Sequence, residues 1–468
     1  MPLLAKKEEI LCFLTILVEK LVSGDIIMLW LLKINSQERV MRAIIRSRKL
    51  IFVFTLIFTM SIFGVMFLGC DSTDLMDPPK KIQTPDLMQG IKARPVNAVT
   101  LDDRFCGAAA DFSLNLFRAT LSDNENSLIS PTSVLLALAM TANGADGNTL
   151  SQMEQVIGGG MPIASLNAYL YSFVKGLTSK PKELLNISNS IWFRENGFTP
   201  NRAFLQKNAD YFGADAFAAP FDEQTVLDIN NWISEATDGL IDKMLDDIPG
   251  DAVIYLINTV LFDAEWAKIY NEGSIRDGEF TGINNQAQIA EFMYSTENLF
   301  IQGNGATGFI KPYYDNHYSF AAILPDEDID IHDYVAALSG EAFLNLIKSA
   351  QPAHVMAALP KFDYEYAVTM NGALMALGMQ DAFSEFAADL SLMGSAWGNL
   401  FISGVDHKAT ITVDERGTKA GAVTMIGVGA TGGLNNDHIV ILDRPFVYAI
   451  IDNATNLPVF IGTLLSVE

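Results

Sequence analysis

The chain has 468 residues, half of them hydrophobic, and carries 31 basic against 55 acidic side chains for a net charge of −24. That balance excludes a domain-wide basic patch and with it nucleic-acid binding, and it favours solubility and a neutral or basic partner. Three cysteines, Cys12, Cys70 and Cys106, are too few for a disulfide framework, and no C-x-x-C pair is present for zinc.

The first 80 or so residues differ in character from the rest. An apolar stretch at 10–32 is interrupted by Glu19, Lys20 and Asp25, which are costly at the centre of a membrane span. A second stretch is cleaner. Arg42, Arg46, Arg48 and Lys49 precede an almost wholly apolar run at 50–68, closed by Gly69 and Cys70 and followed by Asp71, Ser72, Thr73 and Asp74. A basic region, an apolar region and a small residue at the boundary mark an export signal. Residues 1–69 are read as that segment, with Met41 as its natural start and 1–40 as an overextended one. Leu68, Gly69 and Cys70 resemble the bacterial lipobox, with Phe67 departing from the aliphatic residue usual three places before the cysteine. The resemblance implies lipidation of Cys70 and an exported, membrane-anchored lipoprotein, periplasmic or at the cell surface. The other reading of these residues is a membrane span ending in an ordinary cysteine. Residues 70–98, with Pro78, Pro79, Lys80, Lys81, Pro85 and Pro95, read as an extended tether.

From residue 99 the patterning is that of a folded domain. Phe105, Ala109, Phe112, Leu116 and Phe117 recur at helical spacing over 103–119. Ser130 before Pro131 is an N-cap with proline in the first turn, and that helix stops at Asn143-Gly144. Short helices are predicted over 149–157 and 166–177, after Thr199-Pro200 through Phe204 and Ala209, and within 226–245. LLNISNSIWF at 184–193 alternates as a strand, and 253–262 is a continuous apolar run around Asn258, as expected for a strand buried on both faces. A buried asparagine needs hydrogen-bond partners. Strands are predicted at 308–311, 319–324 and 355–368, helices at 332–350 and 370–377, and a closing hairpin from 446–451 and 459–464. No linker signal follows Ala98, so 99–468 is one domain with helices mostly early and strands mostly late, an α+β layout.

One stretch lacks a core pattern. Ala409, Ile411 and Val413 alternate as a strand, but from Gly417 to Gly433 there are six glycines, no aromatic and one charge, Lys419. A strand signal resumes at 439–442. A long patternless segment inside a compact domain is functional or disordered, and here it reads as an exposed loop able to change conformation. Gly427, Gly429 and Gly432 match the dinucleotide fingerprint G-x-G-x-x-G, but a strand rather than a helix follows, so the phosphate-binding helix N-terminus is missing. The five histidines show no metal-ligand spacing.

Taken in order, these residues resemble the serpin family over essentially the whole of 100–468. The resemblance is carried by NSLISP at 126–131, INTVLF at 257–262 with Trp266, LPKF at 359–362, LGM at 377–379 with Phe383, ADLS at 388–391, VDHKA at 405–409, VDERGT at 413–418, Arg444-Pro445-Phe446 and VFIG at 459–462. It implies three β-sheets, about nine helices and an exposed reactive-centre loop, with a metastable native state. It further implies a monomer that needs no cofactor or metal and is not an enzyme. Its partner is a serine protease, which cleaves the loop and is trapped as an acyl-enzyme while the loop inserts into the central sheet. By the same resemblance, Glu415, Gly417, Thr418, Ala420 and Ala422 form the hinge. Asn126, Ser130, Ser133, Asn258 and His407 form a polar gate beneath the sheet, and Trp266 and Lys361 sit at its upper end, with Lys361 paired to Glu415. A Ser, His and Asn together also invite a catalytic reading, but no nucleophile motif surrounds either serine.

The hinge chemistry suits insertion. Thr418, Ala420, Ala422 and Thr424 form one alternate set of small, uncharged side chains, and Lys419 falls on the other face. Lys419 departs from the acid many relatives carry there, and Gly427 and Gly429 weaken an inserted strand. Counting forward from Glu415 by family spacing puts the bait bond at Thr431-Gly432; counting back from Pro445 puts it at Leu434-Asn435. Between Lys419 and Arg444 there is no Lys or Arg, so an elastase-, subtilisin- or chymotrypsin-like target is expected rather than a trypsin-like one. The alternative is a non-inhibitory binding protein of the same fold at the cell surface.

Overall fold

A computed structural model describes residues 82–178, 184–418 and 437–467. Helix α1 (Asp103–Ala119) starts where the Asp102 carboxylate accepts the Phe105 N–H, and β1 (Ser127–Ile129) leads to α2 (Pro131–Ala142). Ser130 caps α2 as its spacing predicts, and all twelve residues of the helix are buried, so it forms the middle of the core. Then follow α3 (Gly147–Gly158), α4 (Ile163–Thr178), β2 (Leu184–Arg194), β3 (Thr199–Pro200), α5 (Arg202–Phe212), β4 (Asp215–Ala219) and α6 (Glu223–Ala236). The strands β5 (Ile254–Glu265), β6 (Ile275–Thr281), β7 (Ala287–Gly303), β8 (Ala306–Pro312) and β9 (Tyr318–Pro325) come next. After them lie α7 (Ile331–Ala337), α8 (Gly340–Lys348), β10 (Gln351–Pro360), β11 (Phe362–Thr369), α9 (Asn371–Ala376) and β12 (Gly394–Ser395). The chain closes with β13 (Ile402–Val413), β14 (Gly417–Thr418), β15 (Asp437–Ile441), β16 (Phe446–Asp452) and β17 (Pro458–Leu464).

Among the described residues the central sheet has six strands in the order β11-β13-β14-β5-β2-β4. Its key member is β5, where alternation sorts the side chains. Ile254, Leu256, Val260, Phe262 and Ala264 enter the main core, while Tyr255 and Ile257 pack with Trp192, Trp232 and Ile233 beneath α6. Apart from the two-residue strands β3 and β12, which pair with each other, the other strands form a nine-stranded assembly that is two sheets sharing the seventeen-residue β7: β15-β10-β7-β6 at one end, and β7-β8-β9-β16-β17-β1 at the other. With the central sheet this makes three sheets, and the α+β expectation holds.

Two predicted elements divide. The helix expected over 332–350 is two, because Leu338 turns to extended backbone (φ −80°, ψ 95°) and Ser339 caps α8 afresh. Gly340 then lies so close to α1 that a Cβ would stand 2.4 Å from the Asp111 nitrogen. The strand expected over 355–368 is two strands of different sheets, with Lys361 at the corner between β10 and β11. Strands β6 and β7 were not expected. Their buried positions alternate irregularly, since each half of β7 serves a different sheet. Cys106 is half-buried, and burial raises the pKa of its thiol.

Residues 82–98, expected to be part of a tether, lie on the domain instead. Asp86 bridges Phe217 of edge strand β4, and the Leu87 N–H donates to the Ala216 carbonyl at 2.8 Å. Buried Asp228 accepts the N–H groups of Gln83 and Thr84 and the Thr84 hydroxyl, and Arg94 forms a two-nitrogen pair with Asp210. This stretch covers the sheet edge, which would otherwise present unpaired backbone groups. Cys70 lies outside the described residues.

Candidate functional site

The site is the line along which β5 and β13 meet. At one end they pair in parallel, Ile402 to His407 against Ile254 to Asn258. Beyond His407 they part. At the other end β14 is wedged between them, Gly417 and Thr418 pairing with Glu265 and Ala264 on one side and Thr418 with Val413 on the other. Gly417 has to be glycine here, because a Cβ would lie 2.1 Å from the Ala264 carbonyl oxygen. Between the closed and wedged ends lies a cavity of about 60 Å³ walled by Val260, Phe262, Ile411, Thr418, Ile450 and Phe460.

The closed end is held by polar groups. The Ser130 N–H donates to His407 Nε2 at 3.1 Å, so the ring proton is on Nδ1, which donates to Asn258 Oδ1 at 3.1 Å. The Asn258 amide donates in turn to Asn189 Oδ1 at 2.6 Å, and the Ser130 hydroxyl donates to the Val459 carbonyl at 2.8 Å. Burial of the imidazole lowers its pKa to about 4, so it is neutral. The Ser133 N–H donates to the Ser130 hydroxyl, while the Ser133 hydroxyl has no hydrogen-bond partner among the described residues. Asn126 is not part of this cluster. It accepts the Leu465 and Ser466 N–H groups and donates to the Ser466 carbonyl, which pins the chain's C-terminal stretch to the body. Neither serine has the histidine as a base: Ser130 meets it through its backbone. The group therefore holds two strands together and has no nucleophile.

The wedged end is gripped from one side. Trp266 donates its N–H to the Arg416 carbonyl and its indole Nε1 to the Asp414 carbonyl, both at 2.8 Å, and the Tyr270 N–H donates to the Glu415 carbonyl at 2.9 Å. Trp266 stacks on Tyr313, whose hydroxyl meets the Thr418 hydroxyl at 2.6 Å. Lys361 lies 2.9 Å from Glu415 and 3.1 Å from Glu291. Burial pulls the Lys361 ammonium down, but hydrogen bonds to both carboxylates outweigh it and raise its pKa, while the Lys361 hydrogen bond lowers that of Glu415.

The structure thus brings together Ser130, Ser133, Asn258 and His407 at one end, and Trp266, Lys361, Glu415, Gly417 and Thr418 at the other. Ala420, Ala422, Thr431, Gly432, Leu434 and Asn435 lie outside the described residues. The chain resumes as strand β15, not as the helix a dinucleotide site needs. Asn189, Tyr270 and Tyr313 escaped the sequence reading. Asn189 stands directly opposite Asn258 in the β2–β5 register, a pairing that neither strand's own sequence reveals.

The family model described as serpin (serine protease inhibitor) matches residues 107–467. The chain belongs to the serpin family. Among curated relatives, the leukocyte elastase inhibitor of Xenopus laevis is 29% identical over 77% of this chain and 98% of its own. Among solved structures, that of a thermophilic serpin, tengpin, in the native state is 52% identical, covers 82% of this chain and 100% of its own, and superposes with a TM-score of 0.79. Tengpin in the latent state is 50% identical, covers 80% of this chain and 100% of its own, and gives a TM-score of 0.71. The native-state structure thus gives the higher TM-score of the two.

Proposed function

We propose that this serpin inhibits serine proteases as a suicide substrate, by entry of its reactive loop between β5 and β13. The observation that carries this reading is the parted strand pair with β14 already seated at its head. If the register of β14 continues, Ala420 falls opposite Phe262 and Ile411, Ala422 opposite Val260 and Ala409, and Thr424 opposite Asn258 and His407. Six residues past Thr418, or about 20 Å, the entering strand meets the hydrogen bond that closes the pair. That bond has to yield for insertion to finish.

In the reaction, the protease serine attacks the carbonyl of the bait residue, forming an ester as the peptide bond breaks and the amine of the next residue leaves. Insertion competes with hydrolysis of that ester. Small hinge side chains favour insertion because they match a cavity walled by apolar groups. The lack of Lys and Arg between Lys419 and Arg444 supports an elastase-, subtilisin- or chymotrypsin-like target. The test is incubation of the purified domain with elastase or subtilisin. An SDS-stable complex is expected; a cleaved loop without a complex would instead indicate a non-inhibitory relative, and rapid stoichiometric inhibition of trypsin would refute the target class. A lipid on Cys70 would place the inhibitor at a membrane surface, and labelling by radioactive fatty acid should vanish in Cys70→Ser.

The Lys361–Glu415 pair restrains the hinge. Both groups are partly exposed, at 25% and 38%, so the pair contributes only about 0.5 kcal/mol after solvent screening. Glu415→Lys reverses its sign and sets like charges together beside an open sheet that accepts a strand. The variant is expected to polymerise on warming at temperatures where the parent stays monomeric. Size-exclusion profiles that stay monomeric would remove the restraint argument.

A further inference from the structure

A buried ion pair lies directly behind the hinge. Lys311 of β8 and Glu297 of β7 are 2.9 Å apart, with side chains only 2% and 7% exposed. The Lys311 ammonium also donates to the Lys268 carbonyl at 3.3 Å, and sits 4.2 Å from the centre of the Tyr270 ring and 5.3 Å from that of Trp266. The Ser295 hydroxyl donates to the same Glu297 oxygen at 2.6 Å and fixes its direction. Each donor direction of the ammonium therefore ends on a carboxylate, a carbonyl or an aromatic face. The three groups it meets besides Glu297, namely Trp266, Lys268 and Tyr270, belong to one short segment. That segment grips the Asp414, Glu415 and Arg416 carbonyls.

Buried ion pairs are poor sources of stability. Desolvation consumes most of their attraction, and apolar replacement of both partners is often neutral or stabilising. A pair retained at this place needs another explanation, and its contacts supply one. We propose that Lys311, anchored by Glu297, is a positioning residue that braces the segment from Trp266 to Tyr270 and so sets how readily the loop enters the sheet. Without the ammonium the two rings lose their common anchor, and the three hydrogen bonds that hold the hinge carbonyls lose their fixed geometry. The inference rests on the insertion reading above.

The test replaces the pair by apolar side chains of similar size, Lys311→Met with Glu297→Leu. It follows conversion of the uncleaved protein to the inserted, heat-resistant form at a temperature below unfolding. Conversion at least tenfold faster than in the parent is expected, with altered Trp266 emission and an unchanged melting temperature for the cleaved, inserted form. An unchanged conversion rate, or equal loss of stability in the uncleaved and cleaved forms, would overturn the proposal and leave the pair an ordinary part of the core. If the double variant does not fold, Tyr270→Leu is read the same way, because it keeps the ion pair and removes only the ring over the ammonium. A parent that forms no SDS-stable complex and gains no heat resistance on cleavage would instead fail the insertion reading itself.

Discussion

On the proposed insertion mechanism, Ala420→Arg is expected to make this serpin behave as a substrate rather than an inhibitor. Continued by two residues, the register of Thr418 would put position 420 opposite Phe262 and Ile411, on the same face as Thr418, whose side chain is almost fully buried. An arginine carried into that space arrives among Val260, Phe262, Ile450 and Phe460 without a carboxylate to meet it. An unpaired buried charge costs on the order of several kcal/mol. Even about 3 kcal/mol on the insertion barrier slows insertion roughly 100-fold, while the protease still finds the same bait bond and hydrolyses its ester unhindered. Gel analysis with elastase or subtilisin should show the SDS-stable complex reduced to a trace and cleaved protein as the main product, at an unchanged rate of loop cleavage. Ala420→Val, small and uncharged, should retain the complex. Equal complex yields from Ala420→Arg and the parent would mean that this face of the loop never enters the sheet.

The second large effect is a loss of stability in mild acid. His407 is neutral in the fold, with its pKa lowered by burial to about 4 from an ordinary 6.5. A proton on Nε2 would put a donor against the Ser130 N–H. Because the folded value is the lower one, the unfolded chain binds the proton first. The stabilisation is thus fully present above about pH 6.5 and is lost as pH falls toward about 4, by roughly 3 kcal/mol in all. Denaturant titrations at fixed temperature across that window measure it. A His407→Gln variant carries no charge at any pH, so the difference between the two proteins isolates the histidine from the carboxylates that titrate nearby. Parallel curves for parent and variant would show that His407 does not titrate in this way.

Legibility from the sequence varied with the range of the interaction. The N-cap at Ser130, the doubly buried β5 and the stop after α2 follow from residues a few positions apart, and all could be read directly. Strand β7 could not, because its halves serve two sheets and no single alternation runs through it. The gate was half legible. His407 and Asn258 fell together, but Asn126, which shares a motif with Ser130, binds the backbone near the C-terminus instead. An asparagine at the start of a strand advertises that it needs partners without naming them.

By itself the sequence determines the family, the central strand and the smallness of the hinge side chains. These are matters of local pattern, of motif order and of which residue types a sheet interior accepts. Only the tertiary structure decides which polar groups meet. Asn189 and Asn258 join across 69 positions, and Lys311 reaches back 43 residues to the carbonyl of Lys268. The physical reason is that a hydrogen-bonding or charged side chain states its need in the sequence, while its partner is chosen by the packing of strands that are distant along the chain. Trp266 and Tyr270 follow directly on β5, beside the hinge, but Lys311 comes from β8 in another sheet, and only the fold places it behind them.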